Sequence, residues 1–174
     1  MMSSPEHPLT LVLVGPMAAG KTSVGRKVAR LLEVPFSDTD KRIVAEHGAI
    51  PQIFADHGEA HFRTLERAAV AAAVADGGVV SLGGGAVTDA DTRRLLSQHP
   101  VVFLTVTADA VARRIRGTGR PLLAGDDDPV ARWRIIFDQR RGWYEEVADL
   151  TVDTSRRPMR MLAEEIAAWR KEQQ

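Results

Sequence analysis

Cysteine is absent from all 174 residues, which removes disulfides, thiolate nucleophiles and thiolate metal sites together. Formal net charge is zero, so no broad basic field recommends nucleic acid or an anionic membrane as a partner. No apolar run approaches the ~20 residues a membrane helix needs. Residues 1–8 carry two prolines, Glu6 and His7 but no apolar stretch, and read as a frayed tail rather than a signal peptide. An oxidising compartment is not required, so a cytoplasmic location is the expectation. Lysine is scarce: of 23 basic residues only Lys21, Lys27, Lys41 and Lys171 are lysine, and the arginines that make up the rest suit bidentate grips on phosphate or carboxylate. Aromatics are few, and Trp133, Trp143 and Trp169 fall on predicted helices, where they read as packing or interface residues rather than base-stacking platforms.

What is present is 44% apolar and 26% charged residues, the balance of a globular chain long enough to build its own core, read as one domain over 1–174. Its most informative stretch is Leu9 to Thr22, LTLVLVGPMAAGKT: an apolar strand, a loop opening at Gly15, then Gly20-Lys21-Thr22 at the head of a helical pattern. The spacing G-x-x-x-x-G-K-T in that context is a phosphate-binding loop. Phosphate oxygens must be met by many donors at once, so the backbone of Gly15, Pro16, Met17, Ala18, Ala19 and Gly20 has to curl with N–H groups inward. The helix start, including Ser23, adds its unpaired N–H groups, Lys21 a full charge, and Thr22 a hydroxyl able to ligate Mg²⁺.

Further along, Val34–Ser37 reads as a short strand leading into Asp38-Thr39-Asp40, and a helix of about ten residues carrying Ile43 and Val44 finishes at His47-Gly48. Ile50–Phe54 is a short helical piece and Gly58–Ala75 a long helix with Phe62, Leu65, Ala69, Ala72 and Ala73 inward. Val79–Leu82 and Val101–Val106 are buried strands, the first ending in Gly83-Gly84-Gly85. Asp89–Gln98 and Ala108–Arg116 are helical, and 117–128 reads as a mobile loop with three glycines and three consecutive aspartates. A helix from Pro129 to about Val147, a last strand beginning at Thr151 and a closing helix Pro158–Arg170 complete the chain. Alternating strands and helices predict an α/β, three-layer fold with a parallel sheet covered on both faces. In such sheets ligands bind beyond the carboxyl ends of the strands, so the phosphate loop, Asp38 and Asp40, and the glycine triplet should share one rim.

On residues alone, Asp38 is the better partner for a Thr22-bound metal, with capping of the next helix as its alternative. Asp40 is placed to accept a hydroxyl's proton, or else is a solvated first-turn carboxylate. The triplet Gly83–Gly85 lets backbone approach a ligand, or is simply a tight turn. Arg120 stands where a lid arginine would close over phosphate. Arg63 and Arg140 read as helix-surface residues from spacing alone. The run His57 to His61 lacks the spacing of a zinc protease and the cysteines of a deaminase.

The ordered stretches GPMAAGKTSVGR, SDTD, IFADHGEAHFRTLE, SLGGGAVT, RPLLAG, QRRGWYEEVA and VDTSRRP resemble the shikimate kinase family over essentially everything after residue 8. The resemblance implies a nucleoside monophosphate kinase-like P-loop fold with strand order 2-3-1-4-5, a mobile lid over about 117–128, ATP as co-substrate and one Mg²⁺. It implies Lys21 at the β/γ-phosphates, Thr22 and Asp38 for Mg²⁺, and Asp40 on the substrate hydroxyls as proton acceptor. Arg63 and Arg140 would clamp the shikimate carboxylate beside Gly83, Gly84 and Gly85, with Phe54, Phe62 and Pro121 as apolar walls. Arg120 would reach the transferred phosphoryl, and Arg113 with the turn Arg156, Arg157, Pro158 would sandwich adenine. Ala18 stands where relatives usually carry glycine, and Thr22 where serine is commoner. The implied activity is Mg-ATP-dependent phosphorylation of the shikimate 3-hydroxyl by a cytoplasmic monomer, with a gluconate kinase or a non-catalytic nucleotide-binding paralogue as the alternatives.

Overall fold

The computed structural model describes residues 9–116 and 128–174. Five strands, β1 (Thr10–Val14), β2 (Phe36–Asp38), β3 (Gly78–Ser81), β4 (Val101–Thr105) and β5 (Leu150–Asp153), form one sheet of order β2-β3-β1-β4-β5. All neighbours are parallel. Between them run α1 (Lys21–Leu32), α2 (Thr39–His47), α3 (Ile50–Asp76), α4 (Ala90–Leu96), α5 (Ala108–Ile115), α6 (Pro129–Val147) and, last, α7 (Met159–Glu172), with a 3₁₀ turn at Ala86–Thr88.

Side chains of a strand alternate between faces, and β1 shows how that divides the core. Leu11 and Leu13 pack with Val24, Val28, Leu162 and Ile166 on the side of α1 and α7. Val12 and Val14 pack with Val70, Val80, Leu96 and Tyr144 on the side of α3, α4 and α6. A strand buried on both faces is a near-continuous apolar run, as Leu11 to Val14 of β1 is, and such runs made the central strands legible.

The register positions the site. Asp38 stands opposite Ser81, and Ser81 opposite Leu13, so β2, β3 and β1 release their following loops at one level. The strand order reverses at β1, whose neighbours are β3 and β4, and a crevice opens at such a point.

Two expectations need correction, while the pieces expected at Ile50–Phe54 and Gly58–Ala75 hold: the α3 run is two helices meeting at a kink where Gly58 leaves helical geometry at φ 82° and ψ 173°. The inner stripe of that run is Phe62, Glu66, Val70, Ala73 and Val74; Ala72 is exposed, because a 3.6-residue period starting at Phe62 skips it. Strand β3 begins at Gly78 and ends at Ser81, leaving Leu82 in the turn that follows.

Candidate active site

At the end of β1 the chain turns at Gly15, φ 150°, where any Cβ would collide with the Leu104 carbonyl oxygen. Glycine is required there by that approach. Gly20, φ 86°, precedes α1 without a side-chain cap. Gly20, Lys21, Thr22 and Ser23 line a cleft, and the positive end of the helix dipole there favours an anion. Lys21 Nζ donates to the carbonyls of Gly15 at 2.7 Å and Pro16 at 2.9 Å, bracing the loop from within.

Asp38 ends β2 and caps α2, and its two oxygens do different things. Oδ1 accepts the Lys41 amide at 3.2 Å, while Oδ2 accepts the Thr22 hydroxyl at 3.0 Å. The capping role and a position facing Thr22 thus coexist in one side chain. Asp40 follows in the first turn of α2. Burial pushes its carboxyl above the usual range, the neighbouring Asp38 charge adds to that, and Lys21 and Arg63 pull the other way.

The glycine triplet is packed on all sides by charge. A Cβ on Gly83 would stand 2.7 Å from Asp40 Oδ1 and 2.9 Å from Glu66 Oε1, and one on Gly85 would collide with the Arg63 guanidinium. At Gly84 it would lie 3.7 Å from Arg140 Nη1 and 3.6 Å from the Met17 amide nitrogen. Gly83 and Gly85 thus leave room for side chains that a Cβ would displace, whereas a Cβ on Gly84 would make only ordinary contacts. Arg63 is ion-paired with Glu66, which is only 3% exposed, and its guanidinium lies 5.3 Å over the Phe62 ring. Burial raises the Glu66 carboxyl and Arg63 opposes that shift. Tyr144 donates its hydroxyl to the Gly84 carbonyl, and burial pushes its pKa up to about 12, so it stays a neutral donor. Phe54 and Phe62 close one wall with ring centroids 4.7 Å apart.

These groups line one cleft of about 720 Å³, a volume suited to small ligands. It brings together Pro16, Met17, Ala18, Gly20, Lys21, Thr22 and Ser23 with Asp38, Asp40, Phe54, Phe62, Arg63, Gly83, Gly84, Gly85 and Arg140. Gly15 and Ala19 are part of the loop but not of the lining, and Ala19 is wholly buried in the core. Arg113, Arg156, Arg157 and Pro158 also lie off the lining. Arg113 reaches the Ser155 carbonyl at 3.5 Å, and Arg157 is paired with Glu165 at 2.6 Å. Pro158 precedes α7, whose first residue, Met159, lies against Gly20. Arg120, Pro121 and most of the expected lid fall outside the described residues.

Sequence reasoning missed Glu66, Tyr144 and three donors to the loop's carbonyls, Trp133, Arg114 and Thr154, of which Trp133 also lines the cleft. A glutamate at Phe62 plus four, on the buried stripe of α3, was the one signal that could have exposed Glu66.

Among the described residues no three His, Asp or Glu side chains gather to hold a metal ion by themselves. The donor pair Thr22 and Asp38 suits a hard cation that keeps waters and takes phosphate oxygens, as Mg²⁺ does.

A phosphate loop facing a pocket of arginines and buried carboxylates, on a parallel sheet of order 2-3-1-4-5, defines a P-loop small-molecule kinase. The profile of the shikimate kinase family matches residues 17–171. The chain is 52% identical over 160 residues to the shikimate kinase of Salinispora arenicola, covering 90% of this chain and 95% of the relative. To that of Streptomyces coelicolor it is 48% identical over 150 residues, covering 84% and 86%. Among solved structures, shikimate kinase from Acinetobacter baumannii in complex with shikimate superposes with a TM-score of 0.85 at 37% identity, covering 97% of this chain and 96% of that one. The chain belongs to the shikimate kinase family.

Proposed function

We propose that this chain transfers the γ-phosphoryl group of ATP to the 3-hydroxyl of shikimate, giving ADP and shikimate 3-phosphate for chorismate and aromatic amino acid biosynthesis. The observation that carries the reading is the shared cleft: Lys21 and the phosphate loop open on the same space as Asp40, Arg63 and Arg140.

In this reading the loop and the start of α1 hold the phosphates by backbone N–H groups, and Lys21 neutralises the β/γ oxygens. Arg63 and Arg140 grip the shikimate carboxylate, and Glu66 holds the Arg63 guanidinium in place. Phe54 and Phe62 bound the ring, with Pro121 as a further wall. Asp40 hydrogen-bonds the acceptor hydroxyl and takes its proton; a carboxyl raised by burial is a better base than a solvated one. Arg120 carries positive charge to the transferred phosphoryl, and Arg113 with the 156–158 turn flanks adenine. Thr22 and Asp38 would hold one Mg²⁺, which would supply charge neutralisation for the transferring phosphoryl group. The remaining work is positioning, which a single phosphate loop and one acid-binding pocket can do within a monomer. No helix among the described residues is long and apolar enough to cross a membrane, and a cytoplasmic setting follows from the substrates.

The test is coupled ADP release at saturating Mg-ATP. Shikimate-dependent turnover is expected, and a rate that shikimate does not raise would refute the assignment.

A further inference from the structure

The phosphate loop presents an unusual accounting of its carbonyls. All five from Gly15 to Ala19 accept a side-chain hydrogen bond. Lys21 Nζ serves Gly15 and Pro16 at 2.7 and 2.9 Å. Trp133 Nε1 donates to Met17 at 2.8 Å, Arg114 Nη1 to Ala18 at 2.7 Å, and Thr154 Oγ1 to Ala19 at 2.7 Å. The last three donors come from α6, α5 and the residue after β5, and both Trp133 (4% exposed) and Thr154 (1%) are buried.

A trans peptide is planar, so its N–H points opposite to its carbonyl. Holding the Met17 oxygen against Trp133 fixes the direction of the Ala18 amide, and holding the Ala19 oxygen against Thr154 fixes that of Gly20. The Ala19 amide is already committed to the Pro16 carbonyl at 3.3 Å, which makes the Ala18 and Gly20 amides the ones that matter. Between them Ala18 adopts φ 66°, a left-handed conformation that a side-chain-bearing residue takes only at a steric cost. A loop carrying that cost relaxes unless its peptides are held in place.

We propose that Trp133 and Thr154 are positioning residues for the nucleotide: by holding the carbonyls of Met17 and Ala19, they aim the Ala18 and Gly20 amides at the phosphates. The inference rests on the reading that this loop binds the phosphates of ATP. It deepens that reading, because it makes the donors that hold the loop a determinant of nucleotide affinity. Trp133 separates donation from packing well. Its ring stacks on Phe137 at 5.0 Å, and phenylalanine at 133 keeps an aromatic there while removing the N–H.

The experiment is isothermal titration of the full chain, wild type, Trp133→Phe and Thr154→Val, with Mg-ADP, with inorganic pyrophosphate and with shikimate. A lost hydrogen bond of ordinary strength predicts a roughly three- to tenfold weaker Kd for ADP in each variant. Pyrophosphate should weaken in parallel, and shikimate affinity should stay within about twofold of wild type. If wild type binds ADP and Trp133→Phe binds it equally well, the inference is wrong while the proposed function stands. Parallel loss of ADP and shikimate would mean general loosening and would also overturn it, as would loss of ADP without loss of pyrophosphate. Absence of ADP and pyrophosphate binding in wild type would remove the underlying reading itself. Should Thr154→Val fail to fold, Trp133→Phe carries the test alone.

Discussion

The two ends of the cleft are built in opposite ways. At the phosphate end the working surface is backbone: a loop whose carbonyls are held by side-chain donors, with Lys21 as the charge bracing it. At the acceptor end it is side-chain charge, with Asp40, Glu66, Arg63 and Arg140 crowded around glycines that contribute little but room. Peptide dipoles do not titrate. Buried carboxylates do, and both Asp40 and Glu66 are raised by burial. Sensitivity to pH and to charge substitution should therefore concentrate at the acceptor end, and sensitivity to backbone geometry at the other.

The largest expected effect comes from Asp40→Asn. Loss of the general base should lower kcat by roughly 10²- to 10⁴-fold with ADP affinity little changed. Stability should move the other way. The folded-state pKa of Asp40 lies above its unfolded value, so its favourable contribution is present below the unfolded pKa and is lost as pH rises through the folded one. Asp40→Asn should thus melt higher than wild type at neutral pH, with the gap closing on acidification. A variant that keeps most of its turnover would remove Asp40 as the base, and an unchanged melting temperature would remove the burial argument.

The smallest effect belongs to the backbone end. Ala18→Gly should relieve the left-handed strain and raise the melting temperature by about 2–4 °C, the shift that ~1 kcal/mol gives a chain of this size. Calorimetry checks it, and a lower melting temperature would show that Ala18 carries no strain.

The same contrast explains what could be read from the chain. The phosphate loop announces itself because its function is local: Gly15, Gly20, Lys21 and Thr22 are neighbours in sequence, and an apolar strand precedes them. The central strands are legible for a related reason, since strands buried on both faces are near-continuous apolar runs. The donors that hold the loop were invisible. Trp133 is 116 residues from Met17 and Thr154 is 135 from Ala19, and nothing in a tryptophan or threonine marks which carbonyl it will meet. Glu66 was hidden by its type, because a helical glutamate reads as solvated until its period places it beside Phe62 and Val70. Asp38 shows the opposite case, where capping and a contact with Thr22 looked like alternatives and the two oxygens of one carboxylate serve both.

The central claim is that one phosphoryl group crosses a single cleft from a backbone cradle to an acid-binding pocket. A structure with ADP and shikimate bound together tests it most directly. The account predicts the shikimate carboxylate between Arg63 and Arg140, its 3-hydroxyl toward Asp40, and the ADP phosphates against residues 15–22. Shikimate lying away from the two arginines, or separated from Lys21 by the sheet, would contradict it.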